Sequence, residues 1–211
     1  ASAGAAIAKK TVITSMEDAG FSLNQTVLDL YKKWVSEEVE GAEADDQGNV
    51  PKKTSDILVA EDFAAASETD EWKASVEEYS DAAVVVISGG TGEISKEGRV
   101  HPLQLDDVQY DLIDYATDNF DKVIVLVNKT TPIEVADIQR NSKVDAVLNI
   151  GEPGDNWFDA LGMILSGEVN PSGRTVDAWA VDFTKNPSYP NFNILMNDNG
   201  QSTDGNGKLL G

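Results

Sequence analysis

The sequence predicts an α/β fold, a three-layer sandwich in which helices flank a mostly parallel central sheet. Three observations carry that expectation. Apolar runs rich in β-branched residues stand at 82–87, within 122–128 and at 146–150, and none of them alternates polar with apolar, the pattern of strands buried on both faces. Segments with helical spacing separate the runs, which is the signature of βαβ units. Glycines follow the first and third runs, at Gly89-Gly90-Thr91-Gly92 and at Gly151. Open parallel sheets place their ligands at that carboxyl edge.

The elements follow in order. Residues 5–19 carry Ile7, Val12, Ile13 and Met16 at roughly helical intervals, with Gly20 as the stop. Asn24 is a cap for a second helix whose apolar face is Val27, Leu28, Tyr31, Trp34 and Val35. The stretch 40–49 reads as an acidic surface loop. Residues 51–80 are weakly patterned until Trp72, Val76 and Tyr79 suggest a helix leading into the first strand. Helices are expected at Leu105–Asn119, around Ile133–Gln139 and at Trp157–Leu165, the last stopped by Gly167. Residues 1–190 are read as one domain, and 191–211 as a flexible tail.

Composition excludes several functions. The formal net charge is −21, from 37 acidic and 16 basic residues, so a phosphate backbone has nothing to exchange its counterions for, and no nucleic-acid partner is expected. There is no cysteine and a single histidine, His101. Thiol chemistry, disulfides and multi-histidine metal sites are therefore absent from the reading, and neither a metal nor a cofactor is expected. No apolar run approaches the roughly 20 residues that span a bilayer. The opening Ala-Ser-Ala-Gly-Ala-Ala has no signal-peptide pattern and reads as the continuation of a longer chain, from which the compartment is not legible.

Motif order is more informative than any one motif. The chain carries Val84–Ser88, Gly92-Glu93, Leu103-Gln104-Leu105, Lys122–Asn128, Val144–Leu148, Gly151-Glu152-Pro153-Gly154 and Asn170-Pro171-Ser172-Gly173-Arg174, followed by Thr175-Val176-Asp177 and Trp179. In that order it resembles the second, α/β-sandwich domain of family 3 glycoside hydrolases, the β-glucosidase-type enzymes, over roughly residues 5–190. The resemblance implies a site shared with a separate (β/α)₈ barrel domain of the same protein, which supplies a nucleophilic aspartate. It implies a carbohydrate substrate, a terminal β-linked sugar such as a glucoside. Glu93 matches the general acid/base position on the loop that this domain lends. Gly90, Thr91 and Gly92 beside it match the substrate-approach segment, where glycines let backbone come close to a ligand. The resemblance further implies that the fragment alone is inactive. The family has a strand before the stretch that the opening Ala-Ser-Ala-Gly-Ala-Ala continues; with that strand missing here, the expectation is a sheet one strand short or an edge covered by another copy of the chain, a homodimer.

Two departures bear on the loop. The family's arginine before Ser-Gly-Glu is replaced around Gly89-Gly90, and Ile94-Ser95-Lys96-Glu97-Gly98-Arg99 stands where Gly-x-Asp-Arg is usual. Glu97 is thus a competing candidate for the acid. Against these readings stand plainer ones: Glu93 as an exposed loop glutamate, the glycines as an anion-binding turn without a P-loop lysine, and Trp157 and Trp179 as packing residues. The alternative function is a non-catalytic ligand-binding or structural domain of a degenerate glycosidase.

Overall fold

A computed structural model describes residues 10–37, 48, 50, 60–88, 103–129, 131–151, 158–187, 195–196 and 202–203. The chain forms two compact units that interleave in sequence. One comprises residues 1–82, 119–121 and 152–174; the other comprises 83–118, 122–151 and 175–211.

The first unit is helical: α1 (Val12–Asp18), α2 (Gln25–Trp34), α3 (Ala60–Ser67), α4 (Asp70–Glu78) and α7 (Phe158–Leu165). Local chemistry sets the ends of these helices. Thr11 caps α1 in a reciprocal pair with Thr14, and Gly20, at φ +89°, ends it in a left-handed conformation that only glycine adopts freely. Asn24 accepts from the Val27 N–H at 3.1 Å as the cap of α2, as its position predicts. Thr69 caps α4 through the Trp72 N–H.

An aromatic cluster fills the space between α2, α3 and α4. Trp34 and Trp72, 4% and 3% exposed, stack with centroids 6.4 Å apart. Tyr31 meets Trp34 edge-on at 4.9 Å, and Phe63 meets Trp72 edge-on at 5.7 Å. Such pairs add about 0.5–1.5 kcal/mol beyond the area they bury. Asn24 ties the two longer helices again, its Nδ2 donating to Ser75 Oγ at 3.1 Å.

Helices α1 and α7 approach through small residues. Ser15, 2% exposed, donates its hydroxyl to the Phe158 carbonyl and accepts from the Gly162 N–H at 2.9 Å. A Cβ at position 162 would stand 2.1 Å from the Ser15 carbonyl oxygen and 2.8 Å from the Ala19 Cβ. Glycine here is a packing requirement.

The second unit holds the sheet. Strands β1 (Ala83–Ser88), β2 (Val123–Asn128) and β3 (Ala146–Asn149) pair in the order β1-β2-β3, all parallel, with α5 (Asp107–Asn119) and α6 (Ala136–Arg140) as crossovers. The predicted α/β class with a parallel sheet and flanking helices is what the chain adopts. Among the described residues β1 is an edge strand. Register sets Val85 beside Val125 and Ile87 beside Val127, so these share one face, and all four are buried. On the other face Leu126 is fully buried, but Val86 is 40% exposed.

Burial on both faces, expected for all three runs, therefore holds for the central strand and fails at the edge. The strand order explains this. It moves one way across the sheet, so right-handed crossovers would put α5 and α6 on the same face. At the foot of β2 the Asp145 carboxylate accepts from the Val123 N–H at 2.8 Å.

Helices α5 and α6 start later than their apolar patterns suggest. Asp106 caps α5 rather than joining it, accepting from the Gln109 N–H at 2.8 Å. Residues 133–135 are held out of α6 because the Glu134 N–H donates to the Leu103 carbonyl at 2.7 Å. Farther on come a short 3₁₀ turn at Phe183–Lys185 and a bridge between β4 (Leu195–Met196) and β5 (Ser202–Thr203).

Two outcomes test this packing. Gly162→Ala gains about 1 kcal/mol of helix propensity but must move a backbone carbonyl, and overpacking of this kind costs about 1–3 kcal/mol or more; the midpoint of urea unfolding falls. The second concerns Tyr31. Burial holds its phenol proton up to about pH 12, against an ordinary value of 10.0. The unfolded chain releases that proton first, so the stabilising contribution is complete below pH 10 and is lost as pH climbs towards 12. In Tyr31→Phe the phenolate absorbance titration loses its highest-pH step, and stability declines less steeply above pH 10.

Candidate functional site

Parallel pairing sends every strand exit to one edge. β1 leaves the sheet at Ser88, β2 at Asn128 and β3 at Asn149. Glu93, Glu97, Gly90, Thr91 and Gly92 follow Ser88 directly and lie outside the described residues, as do His101, Trp157 and the Glu152-Pro153-Gly154 run. The structure supplies what flanks them.

At the third exit the Gly151 N–H donates to Asn149 Oδ1 at 3.0 Å, and Gly151 takes φ +58°, a turn that aims the chain off the sheet. At the second exit Lys129, one residue past the strand, is 7% exposed. Among the described residues no group of three or more His, Cys, Asp or Glu side chains could hold a metal ion.

Two polar side chains organise this edge. Glu134, in the segment after β2, gathers three pieces of chain. Its carboxylate accepts from Gln104 Nε2 at 3.0 Å and from the Phe183 N–H at 2.6 Å; its own N–H donates to the Leu103 carbonyl at 2.7 Å. The second is Gln109, in the first turn of α5. Its Oε1 accepts from the Asp106 N–H at 3.2 Å, completing a reciprocal capping box with the Asp106 carboxylate. Its Nε2 donates to the Ser88 carbonyl at 3.3 Å.

The charge of the edge is mixed. Burial, and after it the carboxylates of Asp137 and Glu134, raise the Tyr110 phenol above its ordinary value, so it stays a neutral donor there. Asp182 opens the 3₁₀ turn with its side chain accepting from Thr184 N at 2.9 Å. The Thr184 hydroxyl first, and then the backbone bonds and Lys185, hold that carboxyl below its ordinary value.

The sequence points to Glu93 and the glycines before it, which lie outside the described residues, and gives no sign of Glu134. Its partners lie 30 and 49 residues away, and no local pattern announces them. Gln109 does carry a signal, since Asp106-x-x-Gln109 has the spacing of a capping box. The run Asn170–Arg174 is an exposed, irregular segment in which Arg174 Nη1 donates to the adjacent Gly173 carbonyl at 3.4 Å. Trp179 is half-buried.

In a parallel α/β unit ligands commonly bind at the carboxyl edge of the sheet, and here the strands end at Ser88, Asn128 and Asn149 on that edge. Comparison with known proteins goes further. Residues 5–206 match the model of the glycosyl hydrolase family 3 C-terminal domain, and the chain belongs to that family. It is 30% identical over 194 residues to a β-glucosidase of Ruminococcus albus, covering 88% of this chain and 19% of that protein. It is 35% identical over 115 residues to thermostable β-glucosidase B of Acetivibrio thermocellus, covering 54% and 15%. The chain thus spans about a fifth or less of the length of these curated relatives. The solved structure of a family 3 β-glucosidase from Neurospora crassa overlays on 64% of this chain and 18% of that one, with a TM-score of 0.43 and 22% identity. The family assignment rests on the sequence matches, not on this overlay.

Removal of the Glu134 carboxylate tests the edge. Glu134→Ala leaves a half-buried Phe183 N–H without its acceptor and costs about 1–3 kcal/mol in urea unfolding, whereas Glu134→Gln keeps one carbonyl oxygen for that N–H and costs clearly less.

Proposed function

We propose that this chain is the C-terminal domain of a retaining β-glycosidase acting on terminal β-linked glucose or a related sugar. In this reading it lends its general acid/base to a site completed by a barrel domain. The observation that carries the proposal is the family match across nearly the whole chain, together with relatives named as β-glucosidases. A stretch with Glu93 between glycines, leaving the carboxyl edge of a parallel sheet, supports it from the chemistry side.

The roles divide as retaining hydrolysis requires. A barrel carboxylate attacks the anomeric carbon while Glu93, protonated, gives its proton to the leaving oxygen as the glycosidic bond breaks. Glu93, now a carboxylate, then takes a proton from the water that attacks the glycosyl–enzyme bond, releasing the sugar with retention and restoring the barrel carboxylate. The two carboxyl groups must stand about 5–5.5 Å apart. The domain without its barrel holds only one of them and is inactive by itself. Glu97 is the other residue that this loop offers for the role.

In the full-length protein, Glu93→Gln lowers turnover of an alkyl glucoside by about 10²–10⁴-fold, and added azide restores part of it with an aryl glucoside. Unchanged turnover rejects the assignment, and the same loss in Glu97→Gln instead would transfer it. The 211-residue chain alone releases no nitrophenol from a nitrophenyl glucoside.

A further inference from the structure

We propose that residues 175–181 are a docking stretch for the barrel domain of the same protein; the choice of occupant rests on the reading of this chain as one domain of a two-domain glycosidase. The stretch is apolar apart from Thr175 and Asp177, with Val176, Ala178, Trp179, Ala180 and Val181 filling the rest. It belongs wholly to the sheet unit, yet none of its residues is buried. The two most exposed large apolar side chains among the described residues both stand in it, Val176 at 98% and Val181 at 56%. Its backbone forms no backbone–backbone hydrogen bond among the described residues. A solvated spacer has no use for such side chains, since spacers are rich in glycine, serine, proline and charge. Apolar groups gathered in one exposed stretch mark a contact made with something else.

Size chooses the occupant. A freely diffusing partner, a second copy of this chain included, needs about 1,200–2,000 Å² of buried surface and about 20–30 residues a side. This short stretch offers a fraction of that. A domain tethered in the same protein meets it at an effective concentration in the millimolar range, so a small apolar contact suffices. This chain accounts for only 19% and 15% of the two β-glucosidases it matches, and the rest of such a protein has room for that domain.

Position points the same way. Two residues past Val181, the Phe183 N–H donates to the Glu134 carboxylate at 2.6 Å, and Glu134 follows β2 at the carboxyl edge of the sheet. The downstream end of the stretch is thereby held to the edge where the proposed reaction requires the barrel to arrive, because its nucleophile must stand about 5–5.5 Å from the acid/base. Val176 then leaves water only when the two domains come together.

Hydroxyl-radical footprinting of the full-length protein tests the docking. Trypsin cuts after Arg174 and Lys185, so the stretch is read in one peptide. Oxidation at Val176, which this chain leaves open, is expected to be several-fold slower in the native protein than in the free peptide; an equal rate overturns the docking. A photoreactive benzoylphenylalanine at the exposed Asp177 position then reports the occupant, with isotope-labelled and unlabelled protein irradiated together. Links to the barrel of the same molecule are expected. Links to any other segment, to a second molecule, or to nothing overturn the choice of occupant. Val176→Asp sets a charge in the contact and lowers the yield of those links several-fold; an unchanged yield removes Val176 from it and overturns the proposal. Neither readout involves Glu93. Full turnover in Glu93→Gln ends the acid/base reading while footprint and links still decide the docking, and free oxidation of Val176 ends the docking alone.

Discussion

Parallel pairing on both sides of β2 is the constraint on which the edge chemistry depends. A strand that pairs in parallel on two sides cannot be connected by hairpins, so each neighbour is reached by a crossover and each crossover starts from the same end of the sheet. The chain therefore assembles its candidate site from segments that are remote in sequence but leave the sheet together. β2 is the strand that makes this possible. Val123, Val125, Leu126 and Val127 are all inaccessible to solvent, and burying side chains of this size is worth about 1.5–3 kcal/mol each. That burial is not spread evenly, since the flanking strands present half-exposed residues. The edge is thus anchored on one rigid central strand, with the loops supported by polar contacts.

Those polar contacts are economical. Glu134 and Gln109 each serve two or more segments with a single side chain, and both sit on ordered parts of the sheet unit. Side chains of this length lose considerable rotamer freedom when fixed, and multiple bonds per side chain offset that loss better than isolated pairs do. The described ion pairs are surface contacts by comparison. Lys143 with Asp118 at 2.6 Å and Lys73 with Glu68 at 2.9 Å have side chains more than half exposed, a setting in which a pair contributes little. With a net charge of −21, such contacts do more to relieve self-repulsion locally than to define geometry.

What the sequence made legible was whatever is decided locally. Asn24 as a cap, Gly20 and Gly167 as stops, and β2 as an apolar run each depend on a few consecutive residues, and each stands where its pattern puts it. The helix Ala60–Ser67 has little periodicity, and the weak pattern between 51 and 80 conceals it; its neighbour α4 stands where Trp72 and Val76 suggest a helix. β1 shows the reverse error. Its run is as apolar as that of β2, and nothing local distinguishes an edge strand from a central one. The family was legible because motif order survives where single motifs are weak. Of the candidate site, the sequence offered Glu93, Glu97 and their glycines, which lie outside the described residues. Glu134 emerges only from three-dimensional neighbours, and Gln109 shows in the sequence only as the capping-box partner of Asp106.

The meeting of α1 and α7 has a consequence for biogenesis. Ser15 and Phe158 are 143 residues apart, and the whole sheet unit up to Gly151 is encoded between the two halves of the helical unit. A nascent chain emerges N-terminus first, so α1 leaves the ribosome long before the helix that accepts it exists. Its Ser15 hydroxyl, nearly inaccessible in the finished fold, has neither the Phe158 carbonyl nor the Gly162 N–H to bond during that interval. The helical unit thus contains the earliest residues and yet is completed only after the chain up to Gly151 has been made.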